Sequence, residues 1–309
     1  MTLQQLSGRV AYLPGANNLG VIATGDGGAI IVDSGIDKDA ARGLKKALVA
    51  AGLTPRAIIS THHHADHVGG NAFLLKQYPE LQVYATPFEA ALIQHPLLEP
   101  IYLSGGACPP AALRGKWVLA PGSPVHHLLD DWLTVTVGMR RTTTIAGVEL
   151  ELIGLPGHSP AQIGVLVDSV CLAADGFFGP AVLAKHGGVP YTHDVAAQLA
   201  SLVALASLEV DWFVPGHGAV ATRAEIGEHL AANEVAVRGA SDLVRAALNE
   251  AGDLATITSR VLGMIGHSLA GVAQYAIFSG AVGAHLTYLE QQGEARLELI
   301  DTRLIWAAG

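Results

Sequence analysis

With 309 residues the chain has room for one large domain and a modest appendage, and needs no covalent staples to bury a core. Only 15% of its residues are charged, against about a quarter in an average globular chain, and 50% are apolar, a balance that excludes intrinsic disorder. The 27 acidic residues outnumber the 18 basic ones, for a net charge of −9, which argues against general binding to phosphate backbones.

Two cysteines, Cys108 and Cys171, make no disulfide framework and suit a reducing compartment. The opening MTLQQLSGRV has no basic segment followed by an apolar core, so no secretory signal is expected. Residues 10–13, 19–24 and 29–32 read as short strands separated by the turn-forming runs Pro14-Gly15-Ala16-Asn17-Asn18 and Gly25-Asp26-Gly27-Gly28. Residues 38–51 turn helical, with Ala40, Leu44, Ala47 and Leu48 on one stripe and Gly52 as C-cap. Ala57-Ile58-Ile59-Ser60 is a buried strand; a helix at 71–77, a strand at 83–85 and a helix after Pro87 follow it. This alternation predicts a layered α/β domain.

Residues 95–131 interrupt the pattern with Pro96, Pro100, Pro109, Pro110, Pro121 and Pro124 and read as an inserted cap or loop. Strands are expected again at 132–137, 148–153, 163–167 and 170–174. An uncharged helix at 195–208 should be almost wholly buried, and a last strand at 212–214 runs into Pro215-Gly216-His217-Gly218. Helices follow Arg223, and residues 296–306 form a hairpin around Asp301-Thr302. The uncharged run between Arg260 and Glu290 is broken by glycines, serines and histidines, so it reads as short helices instead of a membrane span. These features lead us to expect a soluble, cytoplasmic protein with no membrane partner, divided into a main domain at 1–230 and a helical part at 231–309.

Histidine is over-represented, with 14 residues, and its distribution is uneven. In Thr61-His62-His63-His64-Ala65-Asp66-His67, His62 and His64 lie two apart past a strand, so an extended backbone points them the same way. Imidazole nitrogen with carboxylate oxygen is a donor set for zinc, manganese or iron, whereas calcium takes oxygens. Four donors within six residues exceed what one tetrahedral ion takes from so short a segment, which points to two ions. His158, Asp175 and His217 each follow a strand, where such folds gather functional side chains. No G-x-S-x-G elbow, P-loop or dinucleotide fingerprint is present.

The motif H-x-H-x-D-H at 62–67, with His158, Asp175 and His217 in order, resembles that of the metallo-β-lactamase-fold hydrolase superfamily over about residues 8–230. The resemblance implies an α/β fold, a four-layer αββα sandwich with its metals at one edge. It implies a first ion on His62, His64 and His158, a second on Asp66, His67 and His217, and Asp175 bridging them. Asp33 matches an early structural aspartate that supports the metal loop. Aspartate at 175, where the best-known β-lactamases carry cysteine, disfavours antibiotic hydrolysis, and His64 differs from the glutamate of the diiron flavoproteins. The full ligand set is that of glyoxalase II-like thioesterases, lactonases and certain nucleases. The C-terminal segment resembles a winged-helix-like addition, with 281–292 as its recognition-type helix and 296–306 as its wing.

The implied reaction is hydrolysis of a small ester, thioester or lactone by a hydroxide bridging two divalent ions, zinc first, with manganese or iron also suitable. Asp66 would steer that hydroxide and pass a proton to the leaving group. Two alternatives use the same site: a nuclease or phosphodiesterase, and a mononuclear iron oxygenase resembling persulfide dioxygenases. Residues 279–292 contain no Lys or Arg, so nucleic acid is not an expected partner and the segment is read as closing a small-molecule pocket or packing a homodimer. Tyr191 and His193 are candidates for that pocket. His63 should face away from the ligands in a structural role; His95, His126, His127, His186, His229, His267 and His285 are read as surface or packing residues, Cys171 as a core thiol, and Arg140-Arg141 as a solvated loop pair.

Overall fold

A computed structural model describes residues 2–129, 135–185 and 187–309. The first sheet follows chain order: β1 (Gln4–Gln5), β2 (Val10–Leu13), β3 (Leu19–Ala23), β4 (Gly28–Val32), β5 (Thr54–Ile59), β6 (Gln82–Ala85) and β7 (His127–Leu128). Its first four strands pair antiparallel and β4 to β7 parallel, with α1 (Lys38–Ala50), α2 (Ala65–Val68), α3 (Asn71–Gln77), α4 (Pro87–Gln94) and α5 (Leu98–Leu103) in the connections. The second sheet contains β8 (Arg140–Ile145), β9 (Val148–Gly154), β10 (Ile163–Val167), β11 (Val170–Ala174), β12 (Trp212–Pro215) and β13 (Ala221–Thr222). Helices α6 (Pro180–Lys185) and α7 (Val195–Ala206) lie between β11 and β12.

Three apolar clusters show the layering. Ile22, Ile30 and Ile59 of the first sheet meet Leu150, Ile163 and Leu172 of the second in the central core. The first sheet's other face packs Val21, Ile31 and Ile58 against Leu44, Leu48 and Leu74 of α1 and α3. The second sheet's outer face packs Cys171, Phe213 and Leu155 against Leu202 and Leu205 of α7. Strands covered on both faces need continuous apolar runs, which is why β4 and β11 are buried at every residue. Helix α1 starts where Asp37 accepts from Asp39 N and Ala40 N and is followed by Gly52 at φ +70°.

Four local expectations change. Arg140 and Arg141 open strand β8, whose polar sequence suits a sheet edge, and Arg140 Nη2 reaches Glu151 at 2.5 Å on the neighbouring strand. Helix α7 is buried on one face only and leaves Val203 71% exposed, because Gln198 and Ser201 occupy its buried face by bonding the Gly176 and Pro156 carbonyls. The cap segment contains α5 and a 3-10 turn at Ala111–Leu113, and its end supplies β7. The strand expected at 132–137 lies mostly outside the described residues, as does His186; residues 135–137 form no strand.

Beyond the sandwich come α8 (Ile226–Ala247), α9 (Leu254–Ile265), α10 (Val272–Gln291) and the hairpin of β14 (Ala295–Ile300) and β15 (Arg303–Ala308). Helix α8 runs unbroken through the boundary expected at 230, and α10 begins at Val272, before the expected 281. The region has its own core, with Val244, Ile257, Val261, Val282 and Leu286 all buried. Among the described residues no helix is long and apolar enough to cross a membrane.

Candidate metal centre

Five chain segments bring the candidate ligands together at the ends of strands. His62 and His64 follow β5, Asp66 and His67 lie in α2, His158 follows β9, Asp175 follows β11 and His217 follows β12. Asp175 is turned inward by a register shift in β11 and by Ala174 at φ +47°, a left-handed conformation costing an alanine about 1–2 kcal/mol. Gly216 is required by close approach, since a Cβ there would lie 2.1 Å from Asp175 Oδ1 and 2.8 Å from His67 Cε1.

Four imidazoles are held from behind through Nδ1. His67 Nδ1 donates to Asp33 Oδ2 (2.8 Å), His158 Nδ1 to the Tyr191 carbonyl (3.1 Å) and His217 Nδ1 to the Ala16 carbonyl (2.8 Å). His62 Nδ1 lies 3.1 Å from Thr61 Oγ1, which itself donates to Asp33 Oδ2. Each Nε2 is thereby left to face the centre, the arrangement that outer hydrogen bonds impose on metal-binding histidines. His158 Nε2 and His217 Nε2 lie 3.2 and 3.5 Å from Asp175 Oδ2, and His67 Nε2 lies 3.3 Å from Asp175 Oδ1. His217 Nε2 is also 3.1 Å from Asp66 Oδ2.

The donor set fits divalent cations. Among the described residues, His62 Nε2 and Asp175 Oδ1 are buried without a hydrogen-bond partner. His64 Nδ1 faces His158 Nε2 at 2.9 Å, a separation that two lone pairs tolerate only with a proton or a cation between them. The ligand atoms of His62, His64 and His158 fall within 4.8 Å of one another, and so do those of Asp66, His67 and His217. Asp33 also supports the loop by accepting from Thr61 N (2.9 Å). Asp33→Asn keeps the side-chain size and the tolerance for its φ of 62° but weakens acceptance from both Thr61 and His67. Metal affinity is expected to fall roughly 10–100-fold, measured by competition with a chromophoric chelator.

The electrostatics depend on charge balance. Burial, reinforced by neighbouring histidines, holds His62 and His64 well below the usual imidazole pKa. Burial also opposes charge on His67 and His217, but Asp175 and Asp66 outweigh it, so His67 is raised well above the usual value and His217 to about 9. Asp66 and Asp175 would be raised by burial, yet His67 and His217 hold both well below the carboxylate range. In metal-free protein these shifts set a stability maximum. Below about pH 6.5 the unfolded chain takes up protons that His62 and His64 refuse, so stability falls as pH falls. Above it, His67 and His217 hold protons that the unfolded chain has lost, so stability falls as pH rises towards 9. Thermal unfolding of chelator-treated protein should therefore peak near pH 6.5, and divalent metal should remove the part of the alkaline decline that His67 and His217 cause. A midpoint that climbs steadily from pH 6.5 to 9 without metal contradicts this.

The fold joins all seven predicted ligands, with Asp33 behind them. The Tyr191 ring lies 5.4 Å from those of His64 and His158, whereas His193 is exposed on the wall of an adjoining cavity. His63 does turn away from the ligands, into a buried pair with Glu89 (Nδ1 to Oε2, 2.5 Å). Glu89 was not foreseen, although a lone acid among the apolar residues of Pro87–Gln94 was a visible signal. Asn17 was also missed: its Nδ2 donates to Asp66 Oδ2 (3.2 Å) and lies 3.4 Å from His217 Nε2. Neighbouring Asn18 ties the same turn to Pro215 and Gly218 through their carbonyls. A turn sequence alone does not reveal such a contact. His285, expected as a packing residue, is fully buried with Nδ1 2.9 Å from Ser241 Oγ.

Comparison with known proteins gives the family and the fold. The family model described as the metallo-beta-lactamase superfamily matches residues 12–217. A hydroxyacylglutathione hydrolase of Xanthomonas axonopodis pv. citri is 29% identical over 187 residues, covering 60% of this chain and 56% of that protein. One of the same name from Synechococcus sp. is 53% identical over 114 residues, covering 36% of this chain and 43% of that protein. The chain thus spans about half the length of the curated relatives it matches. Among solved structures, a beta-lactamase domain protein from Burkholderia ambifaria superposes with TM-score 0.70 and 19% identity over 99% of this chain and 93% of that one. A metallo-beta-lactamase family protein from Thermus thermophilus gives 0.69 and 20% over 97% and 98%. Those two likenesses concern the fold alone, and they extend through the C-terminal helices.

Proposed function

Because the chain belongs to the metallo-beta-lactamase superfamily, we propose that it is a metal-dependent hydrolase with a dinuclear site, cleaving a small ester, thioester or lactone. The observation that carries this reading is the convergence of five histidines and two aspartates, with four of the imidazoles anchored through Nδ1. The hydroxyacylglutathione hydrolases among its relatives support hydrolysis as the reaction class. His62, His64 and His158 would hold one divalent cation, Asp66, His67 and His217 a second, and Asp175, within 3.5 Å of three ligand nitrogens, would lie between them. Zinc suits these donors best, with manganese or iron as substitutes. Bound there, the pair would supply a water of lowered pKa and a Lewis acid for the attacked carbonyl oxygen.

The chain's own residues do the rest. In the reaction, water oxygen adds to the carbonyl carbon, the C–O or C–S bond breaks, and the leaving group takes up a proton. Asp66 would move that proton, a role that its 29% exposed side chain supports over the 4% exposed Asp175. Asn17 Nδ2 and His217 Nε2 fix the Asp66 carboxylate from two sides. Tyr191 bounds the site on the substrate side and holds His158 through its carbonyl. In this reading residues 1–230 carry the chemistry, and the helices and hairpin beyond form a winged-helix-like domain that shapes access to it. The absence of Lys and Arg from residues 279–292 and the net charge of −9 favour a small-molecule substrate over nucleic acid.

The test is a panel of esters, thioesters and lactones assayed with protein reconstituted in zinc, manganese or iron, and with chelated protein as control. Turnover of at least one class, lost on chelation and restored by metal, is expected. Fully metal-loaded protein that is inert across the panel would overturn the reading.

A further inference from the structure

A cavity of about 840 Å³ adjoins the histidine cluster, between residues 102–113 and helix α10. That size lies within the usual range of small-molecule sites. Tyr191 belongs to both the cavity wall and the border of the cluster, and Tyr102, also on the wall, places its hydroxyl 3.4 Å from His63 Nε2. Tyr191 is thus the side chain that the cavity shares with the border of the candidate ligands, none of which is itself among the lining residues described.

Its chemistry is unusual for a protein with hydroxyacylglutathione hydrolases among its relatives. Among the described residues no Lys, Arg, Asp or Glu lines it. Arg114, whose Nη2 lies 3.1 Å from Cys108 Sγ, is not part of the lining and gives its Nε–H to the Pro109 carbonyl. The buried Glu99, which groups with His63 and His64, offers an entering carboxylate no cation. Glutathione carries a carboxylate at each end, and a carboxylate entering such a space would lose water without gaining a cation. Apolar surface, by contrast, is on offer: Tyr102, Val272 and Tyr275 are 45%, 53% and 39% exposed along this wall. Helix α10 leaves the room by presenting Ala276, Gly280 and Ala284 at four-residue spacing, and a Cβ on Gly280 would lie 3.8 Å from Tyr191 Cε2.

We propose that this cavity seats the uncharged, apolar substituent of the substrate, an aliphatic or aromatic acyl group or the alkyl arm of a lactone. Substrates whose handle carries carboxylates, glutathione thioesters included, are poor ones. This rests on the hydrolase reading above, so the test separates the two. Metal-loaded protein is assayed with N-acetylcysteamine thioesters from acetyl to octanoyl, and with glutathione thioesters of the same acids. Binding of octanamide, which has the chain without a thioester, is measured by calorimetry on the same protein. In the uncharged series kcat/KM should rise roughly fourfold per buried methylene until the cavity is full. It should exceed the value for the matching glutathione thioester at least tenfold. Ala276→Phe, with Ala284→Phe as a second variant and circular dichroism as a check of folding, should flatten the chain-length dependence and weaken octanamide binding at least tenfold. A flat chain-length series, preference for the glutathione thioesters, or octanamide binding that is absent or indifferent to both variants overturns the proposal. Octanamide binding that the variants abolish, in protein inert towards every thioester, upholds the cavity assignment and removes the hydrolase reading.

Discussion

Asp175→Asn is expected to lower kcat/KM for the best substrate on the order of 10³-fold, about 4 kcal/mol of transition-state stabilisation. Asp175 is 3% exposed and its two oxygens lie 3.2–3.5 Å from the Nε2 atoms of His158, His67 and His217. It supplies the only carboxylate in the described structure this close to all three, so the neutral amide leaves the middle of the donor set without its negative charge. Steric changes are small, because asparagine matches aspartate in shape and Gly216 still leaves the space beside it. The loss should appear mainly in kcat, with metal content falling in parallel and the folded state retained by circular dichroism. Activity within tenfold of wild type would show that Asp175 has no part in the site's chemistry.

Glu89→Ala should cost on the order of 3–5 kcal/mol of stability, read as a shift in the urea midpoint at constant slope. The Glu89 side chain is fully buried and accepts from His63 N (2.9 Å), His63 Nδ1 (2.5 Å), Ala161 N (2.9 Å) and the Ser159 hydroxyl. Burial alone would raise its pKa, but His63 and these donors hold it below the usual value, while Glu89 raises His63 against the effect of burial. Removing the carboxylate strands buried donors on two loops at once, those carrying His62 to His64 and His158. The Glu89 share of stability is present above the unfolded carboxylate pKa and lost as pH falls through its lowered folded value. The His63 share is present below about pH 6.5 and lost as pH rises through its raised one. Glu89→Gln should recover little, because its amide nitrogen must face one set of donors. A loss under about 1 kcal/mol would mean that the loops are held by other contacts.

What the sequence made legible, and what it did not, follows from the range of the interactions. His62, His64, Asp66 and His67 are set by local spacing on a strand end and a short helix, so their convergence can be read from the residues themselves. His158, Asp175 and His217 come together only through sheet topology, and the resemblance to a known family, not periodicity, brought them to the first four. Asn17 and Glu89 escaped notice because their partners are 49 and 26 residues away, respectively, and no local pattern encodes such contacts. Strand β8 was hidden by Arg140-Arg141-Thr142-Thr143-Thr144, polar residues suited to an edge and invisible to a search for apolar runs. Helix α7 misled in the opposite way, since its uncharged composition suggested full burial where buried Gln198 and Ser201 bond carbonyls and Val203 meets solvent. The 20-residue α10 was underestimated because Gly280 and Gly283 look like breaks, although packing along the helix at Phe278, Val282, Leu286 and Leu289 overrides their weak helix preference.

The number of metal ions bound tests the proposal of a dinuclear hydrolase most directly. Protein stripped with chelator, reconstituted with zinc and freed of excess metal should carry close to two ions per chain by plasma mass spectrometry, with hydrolysis returning as they bind. Stoichiometric binding of one ion or none, in protein whose hydrolysis of any substrate is indifferent to chelation, would contradict it.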